Sequence, residues 1–122
     1  MVPPRVSRIA IVDDDESLRQ LLSLHLRNAG YEVFAAEDAI AGAHLVVEQA
    51  PDLVICDVAM PYMDGYEFIT ALRADPATRE IPVIFLTVKD DVIERARALG
   101  AAYLMKPVMA DALLRAVRKH LR

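Results

Sequence analysis

Three short runs, IAIV at 9–12, LVIC at 53–56 and VIFL at 83–86, are apolar at every position. A strand with one wet face alternates apolar and polar residues; a strand buried on both faces does not. Each run is followed by residues at helical spacing, as Leu18, Leu21, Leu22, Leu26 and Ala29 follow the first. The alternation occurs five times, with strands expected at 8–12, 32–36, 53–56, 83–86 and 102–105. Helices are expected at 16–29, 39–48, 66–74, 92–99 and 111–121. A (βα)5 order implies an α/β fold: a parallel sheet with helices on both faces. Punctuation agrees. Gly30 and Gly100 stand where helices end. Asp38, and Asp90 or Asp91, suit N-caps. Pro51, Pro76, Pro82 and Pro107 fall in connections, the longest polar one being RADPATREIP at 73–82.

At 122 residues the chain suits one domain, 1–122, with its core at about 8–121 and residues 1–7 as an extension. The 55% hydrophobic content is enough for a packed core, yet no run approaches the ~20 residues of a membrane span. MVPPRVSR has no apolar segment of a secretory signal, and a single cysteine, Cys56, suits a reducing cytoplasm. The net charge of −4 argues against nucleic acid as the chain's direct partner. The cations Arg115, Arg118, Lys119, His120 and Arg122 gather at the end, where they complement a helix C-terminus or form an acidic partner's dock. His25, His44 and His120 have no metal-ligand spacing.

Sheets of this kind bind ligands beyond the carboxyl ends of their strands. Strand 1 ends in Asp13, Asp14 and Asp15, strand 3 in Asp57, strand 4 in Thr87, and strand 5 delivers Lys106. Glu37, after strand 2, reads as surface. Adjacent anions repel. Asp15 serves as an N-cap, and the other two acids ask for a cation. Carboxylates suit Mg²⁺, an oxygen-seeking ion that also takes phosphate and water. A lysine and a hydroxyl beside it suit phosphate oxygens. Each residue alone signals little, since Asp after a strand usually starts a turn. Cys56 reads as core, and Gly65 as a glycine needed for positive φ.

IVDDDESLRQLL, DLVICDVAMPYMDGYEF, IPVIFLTVKDD and GAAYLMKPV together resemble the receiver domain of two-component response regulators, over roughly residues 8–121. The resemblance implies a flavodoxin-like, three-layer (βα)5 sandwich with strand order 2-1-3-4-5. It implies Asp57 as phosphoryl acceptor, with Lys106 and Thr87 contacting the phosphoryl group. It implies Mg²⁺, or Mn²⁺ in its place, on Asp14, Asp57 and the Ala59 carbonyl, with Asp13 acting through water. It further implies a cis Lys106–Pro107 bond and Tyr103 as a switch aromatic beside Thr87. The partners it implies are a sensor histidine kinase or phosphotransfer protein, and an effector or second receiver at the face of helix 4, strand 5 and helix 5. Two positions depart from common patterns: Ala59 is apolar and Val88 bulky. With Lys89, Ala59 leaves no acid or amide beside the acceptor, which implies slow self-dephosphorylation.

Three functions fit to different degrees. A phosphorylation-driven switch, catalysing only its own phosphorylation and dephosphorylation, uses every residue above. A scaffold that is never phosphorylated would be expected to have lost one of them. A Mg²⁺-dependent phosphohydrolase resembling the haloacid dehalogenases would carry D-x-D, where this chain reads DVAM. No effector segment follows Arg122, so the sequence suits either a stand-alone regulator or the receiver of a larger protein.

Overall fold

The computed structural model describes residues 6–88 and 92–121; Lys89, the expected caps Asp90 and Asp91, and Arg122 lie outside them. The elements run β1(Arg8–Val12), α1(Glu16–Asn28), β2(Glu32–Ala36), α2(Ala39–Gln49), β3(Leu53–Asp57), α3(Gly65–Ala74), β4(Val83–Thr87), α4(Val92–Ala98), β5(Ala102–Met105) and α5(Ala110–His120). Every boundary falls within one residue of the sequence expectation. The strands form one sheet in the order β2-β1-β3-β4-β5, all parallel.

Alternation along the three apolar strands builds two cores. Ile9, Ile11, Leu53, Ile55, Ile84 and Leu86 meet Leu22 and Leu26 of α1 and Leu113 and Val117 of α5. Ala10, Val12, Val54, Cys56 and Phe85 face the other way, toward Val46 of α2, Phe68 and Ile69 of α3, and Ala96 of α4. The edge strands are less buried: β5 is exposed at alternate positions, Tyr103 and Met105, and β2 at Glu32 and Ala35.

The caps are the expected ones where they are described. Asp15 and Asp38 accept from the amides of Leu18 and Ala41. Gly30 has φ +95 and Gly100 φ +64; the amides of Tyr31 and Ala101 then reach back to the carbonyls of Leu26 and Ala96, closing Schellman turns. A capping box of Asp64 and Glu67 starts α3 one residue earlier than the apolar period indicates. In the 73–82 connection, Arg73 donates to the carbonyls of Leu99, Arg79 and Ile81.

Gly65 differs from its expectation. It does not have positive φ; the non-glycine residues Ala50 and Tyr62 do, at 45° and 70°. Gly65 is needed for space instead. A Cβ there would lie 2.2 Å from the backbone oxygen of Asp57. The Gly65 amide donates to the Val58 carbonyl at 2.8 Å, so the first turn of α3 rests against the end of β3. We expect Gly65→Ala to destabilise the fold by about 3 kcal/mol, the upper end for overpacking, because the opposing atom is backbone. Urea unfolding checks this; a change under about 0.5 kcal/mol would mean that α3 shifts freely.

Candidate functional site

The strand order reverses between β1 and β3, which opens a crevice at their carboxyl ends. Asp13 follows β1 and Asp57 ends β3, so the two acids flank that crevice. Their side chains are buried, at 0% and 5% exposure, while Asp14 beside them is exposed. The three offer carboxylate oxygens that all lie within 4.8 Å of one another. One Asp13 oxygen accepts from the Asp15 amide at 2.9 Å. The other, Oδ2, is buried with no hydrogen-bond partner among the described residues. Lys106 Nζ forms an ion pair with it at 3.7 Å and donates a hydrogen bond to Asp57 Oδ1 at 3.1 Å.

Backbone contacts aim these groups. The Asp13 amide donates to the Ala36 carbonyl and the Lys106 amide to the Thr87 carbonyl. Arg19 of α1 reaches back to the Asp13 carbonyl at 2.6 Å, a link the sequence reading did not anticipate. The Lys106–Pro107 peptide is cis, as expected. Thr87 ends β4 and is buried. Tyr103 pairs in register with Phe85 and Met105 with Thr87, so Tyr103 and Thr87 share one sheet face. Tyr103 is 38% exposed on the edge strand, away from the acids. Ala59 and Val88 are exposed and Glu37 is on the surface, as read.

Burial raises the pKa of Asp57 above the ordinary carboxylate range; Lys106 and an Ala59 amide hydrogen bond pull it back only in part, and Asp14 adds to the rise. Burial raises that of Asp13 too, with the charges of Asp57 and Asp14 contributing. Lys106 is pulled down by burial, but the Asp57 hydrogen bond and the charges of Asp13, Asp57 and Asp14 more than offset this and hold its pKa up. The contrast is physical: the lysine keeps more solvent than the acids it neutralises. Cys56, sealed in the core one residue before Asp57, has its thiol pushed well up by burial and by the nearby carboxylates.

The site is thus a carboxylate cluster with more negative charge than one ammonium can neutralise. A buried carboxylate oxygen with no hydrogen-bond partner among the described residues, beside two more carboxylates, fits a hard divalent cation, whose ligands are oxygens. Without a cation, the folded state binds protons to Asp13 and Asp57 more tightly than the unfolded chain does. Stability from these groups is therefore full below the ordinary carboxylate pKa and is lost as pH rises through the raised values. Above those raised values the metal-free protein bears the whole penalty. Asp13→Asn should remove part of it, raising the metal-free melting temperature at pH 7 by a few degrees, for about 1 kcal/mol. The gain should shrink as pH falls through the raised carboxylate pKa values. Equal melting of variant and parent at pH 7 would show that the buried charge costs nothing.

Fold and site define a flavodoxin-like domain with its polar groups at the carboxyl edge of the sheet. The chain belongs to the response regulator receiver domain family, whose model matches residues 9–118. It is 37% identical over 118 residues to the DNA-binding dual master transcriptional regulator RpaA of Synechocystis sp., covering 94% of this chain and 49% of that protein. To the response regulator MprA of Mycobacterium sp. it is 38% identical, covering 94% of this chain and 50% of the relative. The chain therefore spans about half the length of these relatives. Among solved structures it is similar to the Vibrio cholerae chemotaxis protein CheY4, with a TM-score of 0.90 and 32% identity over 96% of this chain and 100% of that one. It is likewise similar to the receiver domain of a signal transduction histidine kinase from Syntrophus aciditrophicus, at TM-score 0.86 and 31% identity over 95% and 90% of the two chains. It is a response regulator receiver domain of two-component signalling, a signalling switch by family. Among the described residues no helix is long and apolar enough to cross a membrane.

Proposed function

We propose that this domain accepts a phosphoryl group on Asp57 from a sensor histidine kinase or phosphotransfer protein and passes the signal on as a change of shape. One observation carries the reading: Lys106 Nζ sits 3.1 Å from Asp57 Oδ1 at the rim of a three-carboxylate cluster. In the transfer, an Asp57 carboxylate oxygen attacks phosphorus, the P–N bond of the donor phosphohistidine breaks, and the imidazole leaves with its electron pair and takes up a proton. Such a transfer needs alignment and charge neutralisation more than covalent help. Lys106 already touches the oxygen beside the attacking one and is placed to meet the incoming phosphoryl oxygens. Thr87 offers its hydroxyl to the same oxygens.

Asp14, Asp57 and the Ala59 carbonyl would hold Mg²⁺, or Mn²⁺, with Asp13 acting through a water. When bound, the ion supplies positive charge that offsets the acids and the transferring phosphoryl group. Thr87 moving toward a phosphoryl group would free space on the sheet face it shares with Tyr103. The ring then turns inward and alters the face of α4, β5 and α5 that an effector or second receiver reads. We place the domain in the cytoplasm, as one unit over residues 1–122. We assign any DNA contact by a whole regulator of this kind to the part that such relatives have beyond this domain.

Incubation with acetyl phosphate and Mg²⁺ tests the reading. Intact mass should show a single phosphate added, dependent on the metal. No uptake would favour a scaffold, and sustained turnover of unrelated phosphoesters a phosphohydrolase.

A further inference from the structure

The α2–α3 side of the molecule has a feature that the phosphoryl chemistry does not use. α2 is apolar on two faces. Ala39, Gly42 and Val46 are buried inward, while Ile40 and Val47 stand outward at 59% and 76% exposure. Ile40, Ala43 and Val47 follow i, i+3, i+7 spacing, so they line one outer stripe. Exposed apolar residues gathered on one stripe of a helix mark a surface that something covers. Here the outer stripe borders a groove of about 350 Å³ whose far wall is Phe68, Ala71 and Leu72 of α3. The groove continues past Val47 toward Ala50 and Ala77. Its polar lining is sparse, with His44 on one side and Asp75 and Thr78 on the other. The Thr78 hydroxyl is already donated to the Leu72 carbonyl.

Asp75 is the one carboxylate that lines this groove, and no lysine or arginine lines it. Residues 37–75 hold eight carboxylates and one cation, Arg73. Arg73 is turned to the carbonyls of Leu99, Arg79 and Ile81 and does not line the groove. Asp75 lines the groove at the C-terminal end of α3, and Glu48 and Glu67 are exposed on the two helices that form it. Arg8 is held by Gln49 at the end of α2 and Arg79 follows Thr78, but neither lines the groove; the lysines and arginines of the other helices, such as Arg19, Arg97 and Lys119, stand on α1, α4 and α5. An apolar trough between two helices, with Asp75 in its wall and Glu48 and Glu67 exposed on the same helices, matches a helix with an apolar face and cationic flanks. The apolar face would supply i, i+3, i+4, i+7 anchors and the flanks would meet the acids.

We propose that the α2–α3 groove is a docking site for a cationic amphipathic helix of a partner protein, separate from the phosphoryl site and from the α4–β5–α5 face. Val47 and Ile40 anchor it from α2 and Ala71 from α3, while Asp75, Glu48 and Glu67 select for positive charge. The proposal does not depend on phosphorylation of Asp57.

The probe is a leucine–lysine peptide of about four turns with leucines at i, i+3, i+4 and i+7. A peptide with glutamate for every lysine is the control. Each is titrated into the ¹⁵N-labelled protein. The lysine peptide should shift α2 and α3 amides and bind at least about tenfold more tightly than the glutamate peptide. Val47→Glu adds a carboxylate while removing an anchor, so it separates docking from plain charge attraction. It should weaken the lysine peptide about tenfold and leave metal-dependent phosphorylation unchanged, because Val47 is exposed. Ile40→Gln should weaken it in the same way. Equal or tighter binding by Val47→Glu would overturn the proposal, as would shifts confined to α1 or to the α4–β5–α5 face. Self-association abolished by Val47→Glu would overturn it too, since the groove would then belong to a second copy of the chain.

Discussion

Asp57→Asn should take up no phosphate from acetyl phosphate under conditions that load the parent protein fully. Three acids share the site, and their surroundings separate them. Asp13 is wholly buried, with one oxygen held by the Asp15 amide. Asp14 is exposed and has no cation bonded to it among the described residues. Asp57 alone combines a strand-end position with a lysine at hydrogen-bond distance on one oxygen. That pairing places positive charge where negative charge accumulates. The asparagine amide preserves the shape but has no carboxylate to form the acyl phosphate. The expected loss exceeds about a thousandfold in rate, or roughly 4 kcal/mol of barrier. Intact mass under saturating donor reads it. Phosphate uptake at the parent's rate would move the acceptor elsewhere.

The second large effect is on the metal. Asp14→Ala should weaken Mg²⁺ binding by about a hundredfold, or ~2.7 kcal/mol. Asp14 is the exposed member of the cluster, so its removal takes away a ligand without opening a hole in the core. The metal-free variant should therefore unfold within about 0.5 kcal/mol of its parent, as surface substitutions do. Added Mg²⁺ should raise the melting temperature of the parent and hardly that of the variant, because a ligand stabilises only the state it binds. If both proteins gain equally from Mg²⁺, Asp14 is not a ligand. If neither gains, the acids do not hold the ion.

Most of the architecture was readable because it depends on local pattern. Runs such as IAIV and VIFL can be buried only in a doubly covered sheet, and the parallel topology brings all their ends to one edge. Asp13, Asp57, Thr87 and Lys106 therefore converge at one edge although they are spread over most of the chain. What the sequence hid depends on distances between elements. Gly65 looked like a turn glycine, yet its constraint is the Asp57 carbonyl 2.2 Å from where a Cβ would be. No periodicity reveals such a contact. The left-handed backbone at Tyr62 was also unmarked, since the glycine three residues on drew the inference. Arg19 reads as an ordinary helix-surface residue until the β1–α1 loop is seen folded beneath it. Asp64 and Glu67 were legible as a capping box and went unread inside a longer motif.

Cys56 has a practical consequence. Thiol reagents attack the thiolate, and this one is disfavoured by burial and shut off from solvent. The native protein is therefore close to inert toward maleimides and nitroxide labels. A cysteine introduced at an exposed position such as Val88 or Tyr62 becomes the one reactive handle, with the wild-type core left intact. Dyes or spin labels attached there can follow the β4–α4 and β3–α3 loops in real time, without a second substitution beside the acceptor.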